Sequence, residues 1–217
     1  MVVFDIDGTL LDSATGIIAG FQHALRSVGF EPPDAATLRL DLGPPVGQIF
    51  TALGLPAADL QAAVLAYRTF YLAQGLQQST PYDGVLDVLE ELNAAGVVLA
   101  TATAKRTEIA RAIIEHHGLT HFFAVVNGVD EQHHTKTATL GHTLRLLDRP
   151  DTRQVVMVGD RHSDITAAQN CDVLPIAVTW GYGSSDELRA TGAELIDQPR
   201  QLLDVPLLSR RIGSAAH

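Results

Sequence analysis

The sequence predicts an α/β fold, a Rossmann-like parallel sheet with helices on both faces, carrying a small all-helical insertion. Three observations support this. Apolar runs of strand length recur along the chain, amphipathic helical patterns fill the gaps between them, and residues 13–79 show helical periodicity alone. Runs that are apolar at every position suit strands buried on both faces of a parallel sheet. Strand, helix and strand in alternation imply right-handed crossovers.

In chain order, residues 2–6 form the first apolar run, which Asp7-Gly8 breaks. The helical stretch follows, with Leu60, Val64, Tyr67 and Tyr71 on one stripe and breaks at Pro32-Pro33, Gly43-Pro44-Pro45 and residues 54–56. The expected division is a catalytic core of residues 1–12 and 80–217, with residues 13–79 inserted after the first strand as a lid over the sheet's C-terminal edge. Within that lid, Arg39, Gln48 and Tyr67 either touch substrate or pack. Val85, Val88, Leu89 and Leu92 then mark a helix face that stops at Gly96. Strands are expected at 97–101, 122–126, 154–158 and 175–178. Helices through Ile109, Ala112, Ile113 and His116, and through Leu140, Thr143, Leu144 and Leu147, lie between them. The tail from residue 205 to 217 is expected to be loosely held.

Composition narrows the function. Of 217 residues, 46% are hydrophobic and 18% charged, which supplies a core and excludes a disordered chain. A formal charge of −10 disfavours a protein that grips nucleic acid polymers, although a small anionic substrate is compatible with it if a metal ion supplies positive charge. The single cysteine, Cys171, forms no intrachain disulfide. Residues 1–4 are too short an apolar run for a secretion signal, and no run approaches the ~20 residues that span a bilayer. The expectation is a cytoplasmic protein without membrane association.

Parallel sheets bind ligands beyond the carboxyl ends of their strands, so polar residues there are the candidates. The first strand delivers Asp5 and Asp7, read as two carboxylates on one side of an extended chain, ~6–7 Å apart. One can attack phosphorus while the other protonates a leaving oxygen; the alternative is an acidic turn with Gly8 and Thr9. The run at 154–158 delivers Asp160 and Asp164. Carboxylates converging from two strand ends repel unless a hard divalent cation, for which Mg²⁺ is the best match, lies between them. Asp164 is equally suited to the first turn of a helix. Thr101 or Thr103, with Ala104 and the helix start after it, makes a phosphate cradle. Lys105 and Lys136 are the only lysines beside thirteen arginines, and a compact ammonium suits a phosphate oxygen. His116-His117 and His133-His134 lack Cys partners and zinc-like spacing, so they read as structural or surface residues. Trp180-Gly181-Tyr182-Gly183 follows the fifth run at the same edge and reads as a packing turn, with shaping of the pocket as the alternative. Nucleophile-elbow and P-loop motifs are absent from the sequence.

Asp5-x-Asp7-Gly8-Thr9, Thr103, Lys136 and Gly159-Asp160-x-x-x-Asp164 resemble, in order, the four motifs of the haloacid dehalogenase superfamily. The likeness covers essentially the whole chain and is closest to the phosphoglycolate phosphatase and 5′-nucleotidase-like subgroup with a helical cap. It implies a Mg²⁺-dependent phosphatase acting on a small phosphorylated metabolite. Asp5 would be nucleophile and metal ligand, and Asp7 the acid/base that also offers its backbone carbonyl to the metal. Thr103 and Lys136 would hold phosphoryl oxygens, with Lys136 also steadying Asp5; Asp160 would complete the metal site and Asp164 would support it. The resemblance selects Thr103 over Thr101, although Ala104 stands where Asn or Ser is usual. A sugar-phosphate mutase or other phosphotransferase of the same superfamily, and a non-catalytic phosphate-sensing domain, are the alternatives.

Overall fold

The computed structural model describes residues 1–40 and 42–215. The chain forms two compact units, one of Met1–Leu11 with Pro81–His217 and the other of Asp12–Thr80.

The first unit begins with β1 (Val2–Phe4); the chain leaves it at β2 (Leu11–Asp12) and returns at β3 (Thr80–Pro81). The second unit holds α1 (Ala14–Ser27), α2 (Ala35–Leu40), α3 (Val46–Ala52) and α4 (Ala57–Phe70). The last of these runs on as a π-turn, Tyr71–Gly75, and a 3₁₀ turn, Leu76–Gln78. Of the stripe read from the sequence, Tyr67 and Tyr71 are buried, with Ala63 beside them, while Leu60 and Val64 are half-buried; the rings of Tyr67 and Tyr71 stack 5.8 Å apart. Phe21 from α1 packs against both Phe50 (5.0 Å between centroids) and Tyr67 (4.8 Å). Tyr67 is therefore a packing residue of its unit.

Within the first unit, α5 (Val85–Ala94) leads to β4 (Leu99–Thr101) and β5 (Thr103–Arg106), then α6 (Thr107–His116), β6 (Phe123–Val125) and β7 (Gly128–Val129). After α7 (Lys136–Leu146) come β8 (Val156–Gly159), α8 (His162–Asn170), β9 (Leu174–Val178), α9 (Ser185–Arg189), β10 (Glu194–Ile196) and α10 (Pro206–Ala215). Six strands make one sheet in the order β10-β9-β8-β1-β4-β6, every pairing between them being parallel. Val3 and Met157 pack into a cluster with Leu140 and Leu144 of α7 and Ala167 and Ala168 of α8. Val2 and Phe4, which point the other way on β1, are also buried, so both faces are covered.

Two expectations change. β1 stops at Phe4, because the N–H groups of Leu10 and Leu11 both turn back to the Ile6 carbonyl and close a tight loop. The tail is not loose at its start: Pro206–Ala215 is helical, with Val205 and Leu208 buried. Residues 216–217 lie outside the described residues. The sixth strand, β10, was not expected; it is an edge strand of three residues opening on a glutamate, too short and polar for an apolar-run reading.

Register sets where the site lies. Phe4 is level with Thr101 on one side and with Val158 on the other. The residues that follow each of these strands therefore emerge together at the same edge. Beyond it, β5 and β7 pair in parallel as a short extension, with Thr103 level with Gly128.

Candidate functional site

Asp5 follows β1 directly, its N–H donating to the Val158 carbonyl (2.9 Å) and its Oδ1 accepting from Ile6 N–H (2.7 Å). Oδ2 lies 2.8 Å from Lys136 Nζ. That ammonium also lies 2.6 Å from Asp164 Oδ1. Lys136 opens α7, whose first turn is fixed by Thr135 Oγ1 accepting from Ala138 N–H. Asp164 sits in the first turn of α8, where its Oδ2 accepts from Arg161 N–H at 3.0 Å. Asp164 thus takes the helix-start role that the sequence offered with one oxygen, and meets the lysine with the other.

Asp160 follows β8 and is fully buried. Its Oδ1 accepts from Thr9 Oγ1 (3.1 Å) and its Oδ2 from Tyr182 N–H (2.7 Å). Trp180 Nε1 in turn donates to the Thr9 carbonyl at 3.1 Å. The stretch from Trp180 to Tyr182 therefore shapes the site, the alternative that the sequence held beside a packing turn. Gly8 and Gly181 make this possible: a Cβ on either would collide with the Asp160 side chain, and Gly8 also adopts φ +78°.

Oxygen atoms of Asp5, Asp160 and Asp164 lie within 4.8 Å of one another, and all three residues are buried. Their electrostatics reflect the crowding. Burial, then Asp164 and Asp5, push Asp160 up to about 8, and Tyr182 N–H and Lys136 offset only part of this. Burial also pushes Asp164 up, to about 6, with Lys136 opposing and Asp5 adding to the rise. Burial works against the Lys136 ammonium, but Asp164 and Asp5 outweigh it and hold its pKa above the ordinary lysine value. Three carboxylates around one ammonium, all desolvated, are an oxygen-rich, net-negative donor set that fits a hard divalent cation.

Asp7 does not join that cluster with its side chain. It lies in the loop after β1, paired at 2.7 Å with Lys105 Nζ, so the strand-based spacing of Asp5 and Asp7 does not apply. Lys105, singled out in the sequence as a phosphate ligand, is seen here as the partner of Asp7. Thr103 is buried at the start of β5, and its Oγ1 accepts from Lys105 N–H at 3.3 Å. Ala104 follows it, half-buried, in the same strand. Thr101 is committed elsewhere. Its hydroxyl donates to the Asn127 carbonyl and accepts from Asn127 N–H, both at 3.0 Å, while its carbonyl accepts from Thr143 Oγ1. The sequence noted Thr9 and Tyr182 but gave neither a role in holding Asp160. Only the adjacency of Thr9 to the first acidic pair, and the glycines flanking Tyr182, signalled them.

The chain matches the model of the haloacid dehalogenase-like hydrolases over residues 2–178. It is 38% identical over 213 residues to a protein named tyrosine-protein kinase PtkA from Mycobacterium tuberculosis, covering 94% of this chain and 72% of that one. It is 36% identical to a 5′-nucleotidase from Pseudomonas aeruginosa (87% and 86% covered) and 33% identical to a phosphoglycolate phosphatase from Agrobacterium fabrum (84% and 81%). Among solved structures, a predicted phosphatase from Clostridium acetobutylicum superposes with a TM-score of 0.87 at 30% identity, covering 94% of this chain and 95% of that one. The motif order, the sheet and these matches agree: the chain belongs to the haloacid dehalogenase-like hydrolase family.

Proposed function

We propose that this hydrolase is a Mg²⁺-dependent phosphatase that cleaves a small phosphomonoester, of the phosphoglycolate or nucleotide type, through an aspartyl-phosphate on Asp5. The observation that carries the reading is the Asp5–Lys136–Asp164 arrangement, at 2.8 and 2.6 Å, beside a third buried carboxylate, Asp160. Asp5, Asp160 and Asp164, with the backbone carbonyl of Asp7, would hold the ion. When bound, Mg²⁺ offsets the negative charge of the phosphoryl oxygens and of the surrounding carboxylates.

The chain's own residues supply the rest. Asp5 attacks phosphorus, forming a carboxyl–phosphate bond as the ester P–O bond breaks. Asp7 gives its proton to the departing alkoxide, then takes one from the water that attacks the aspartyl-phosphate, which releases inorganic phosphate and restores Asp5. Lys136, the Thr103 hydroxyl and the N–H of Ala104 hold phosphoryl oxygens. Lys105, 2.7 Å from Asp7, orients that carboxylate. The insertion acts as the cap that selects the substrate.

Hydrolysis of an aryl phosphate in the presence of Mg²⁺ tests this. Activity is expected, lost with EDTA and lost again in Asp5→Asn with folding retained. Turnover that survives Asp5→Asn rejects the assigned nucleophile. A second reading, transfer of the phosphoryl group to an acceptor hydroxyl instead of water, is favoured by the 38% identity to the protein named a tyrosine kinase. Inorganic phosphate as the main product, with no labelled acceptor, decides against it.

A further inference from the structure

The sequence left His133 without metal partners. The fold supplies two. Asp130 follows β7 directly and ends a tight turn in which its Oδ1 accepts from the N–H groups of Gln132 and His133, both at 2.7 Å. His133 Nδ1 lies 2.9 Å from both oxygens of that carboxylate. From α7, His142 brings its Nδ1 to 3.7 Å from Asp130 Oδ2, and its ring stacks on that of His133 with centroids 4.1 Å apart. His142 lies six residues, about 9 Å, beyond Lys136 along the helix, which separates this cluster from the carboxylate site.

We propose that Asp130, His133 and His142 form a second metal site, selective for a borderline cation of the Zn²⁺ class. Two imidazoles and one carboxylate are the donor set such ions take in three-ligand sites with an open position. Mg²⁺, which prefers oxygen, is the wrong guest here.

Three features of the geometry support this. The three ligand atoms lie within 4.8 Å of one another. Bonds of about 2.0–2.1 Å in a tetrahedron place neighbouring donors about 3.3 Å apart, and the observed 2.9 and 3.7 Å bracket that spacing. His142 Nδ1 is buried without a hydrogen-bond partner, an expensive state that a metal bond relieves. The carboxylate is 35% exposed, which leaves one side open for entry and for a water ligand.

Protonation states favour the same outcome. The hydrogen bond from His133 holds Asp130 down at about 2, so it is ionised throughout the physiological range. Burial, then the neighbouring His133, lowers His142, with Arg145 acting the same way and Asp130 opposing, so its ring is a neutral donor. Arg145 closes the site. Its Nη2 lies 3.0 Å from His133 Nε2, so this nitrogen accepts and the ring proton sits on Nδ1, facing Asp130. Metal on Nδ1 requires the proton to move to Nε2. The exposed Arg145 side chain must then swing away. A bound ion ties the loop before Lys136 to the body of α7, so it would also steady the lysine of the carboxylate site.

Titration of the metal-stripped full chain with Co²⁺ and Zn²⁺ tests this, read by Co²⁺ electronic absorption and by calorimetry. The expected result is an equivalent with the spectrum of nitrogen ligation, distinct from any ion taken by the carboxylate site and retained in Asp5→Asn. In His142→Ala and Asp130→Asn, affinity should fall by more than the about 10–100-fold that loss of a supporting partner costs. Arg145→Gln should bind more tightly, because the competing guanidinium is gone. His142→Gln, which keeps a polar group at the position, serves if the alanine variant unfolds. Co²⁺ affinity and spectrum unchanged in the His142 variants, or binding removed entirely by Asp5→Asn, overturns the proposal. Because the readout is metal binding, it stands or falls independently of the phosphatase reading.

Discussion

Asp160 shows how tightly single residues constrain the carboxylate site. Its two oxygens are fixed by Thr9 and Tyr182, and its flanks are occupied by glycine backbones that come closer than any side chain permits. Gly181→Ala is therefore expected to displace Asp160 while leaving the sheet intact. Activity with Mg²⁺ should fall by about 10–100-fold, as for loss of a residue that orients a metal ligand, and the Mg²⁺ concentration for half-maximal rate should rise. A kinetic titration with Mg²⁺ checks both. Asp5, Asp7 and Asp160 were legible as candidates in the sequence because they follow apolar strand runs, at the edge where parallel sheets bind ligands, and match the family motifs. Thr9 and Tyr182 were not, because a threonine or a backbone N–H carries no mark of function until a carboxylate is placed against it.

Elements show the same division. The strand runs, the three helices between them and the helical stretch were legible from period alone, since burial on both faces of a sheet leaves little room for polar residues. The choice between Thr101 and Thr103 was not legible from period, since both point the same way on an extended strand. Hydrogen bonding separates them: Thr101 joins β4 to Asn127 and α7, and Thr103 lies beyond the end of β4. Thr101→Val is expected to cost about 1–3 kcal/mol in denaturant unfolding, the price of leaving buried partners unsatisfied, with kcat/KM for aryl phosphate changed less than about threefold. Thr103→Val should show the opposite balance, with kcat/KM reduced about 10²-fold, as for removal of one donor to a reacting oxygen. Unfolding and steady-state kinetics on the same two preparations separate the roles.

At the scale of the whole molecule, the charge of −10 is partly concentrated in one buried cluster, and pH should act on stability through it. Asp160 and Asp164 have folded-state pKa values raised from 3.8 to about 8 and about 6, so ionising them opposes folding. The penalty is absent below pH 3.8, grows as pH rises through about 6 and is complete above about 8. A divalent cation bound among these carboxylates would remove it. Saturating Mg²⁺ should thus raise Tm by about 5–10 °C at pH 8 and by clearly less at pH 5.5, where the cation must displace protons. Thermal scans at the two pH values, with Mg²⁺ or EDTA, check this; an equal or larger increment at pH 5.5 contradicts the sign.

The sequence by itself determined the class of fold, the order along the chain of five of the six strands of the main sheet and the acidic residues that the family motifs mark. Burial and period are local patterns that each segment carries on its own. The Lys136–Asp5 pair is the one the family motifs imply; tertiary structure alone decided that Lys136 also meets Asp164 and that Lys105 pairs with Asp7. It also brought His142 to Asp130 and His133. Those pairings depend on strand register and helix placement, which set distances between residues far apart in the chain, and electrostatic and coordination energies follow distance rather than sequence separation.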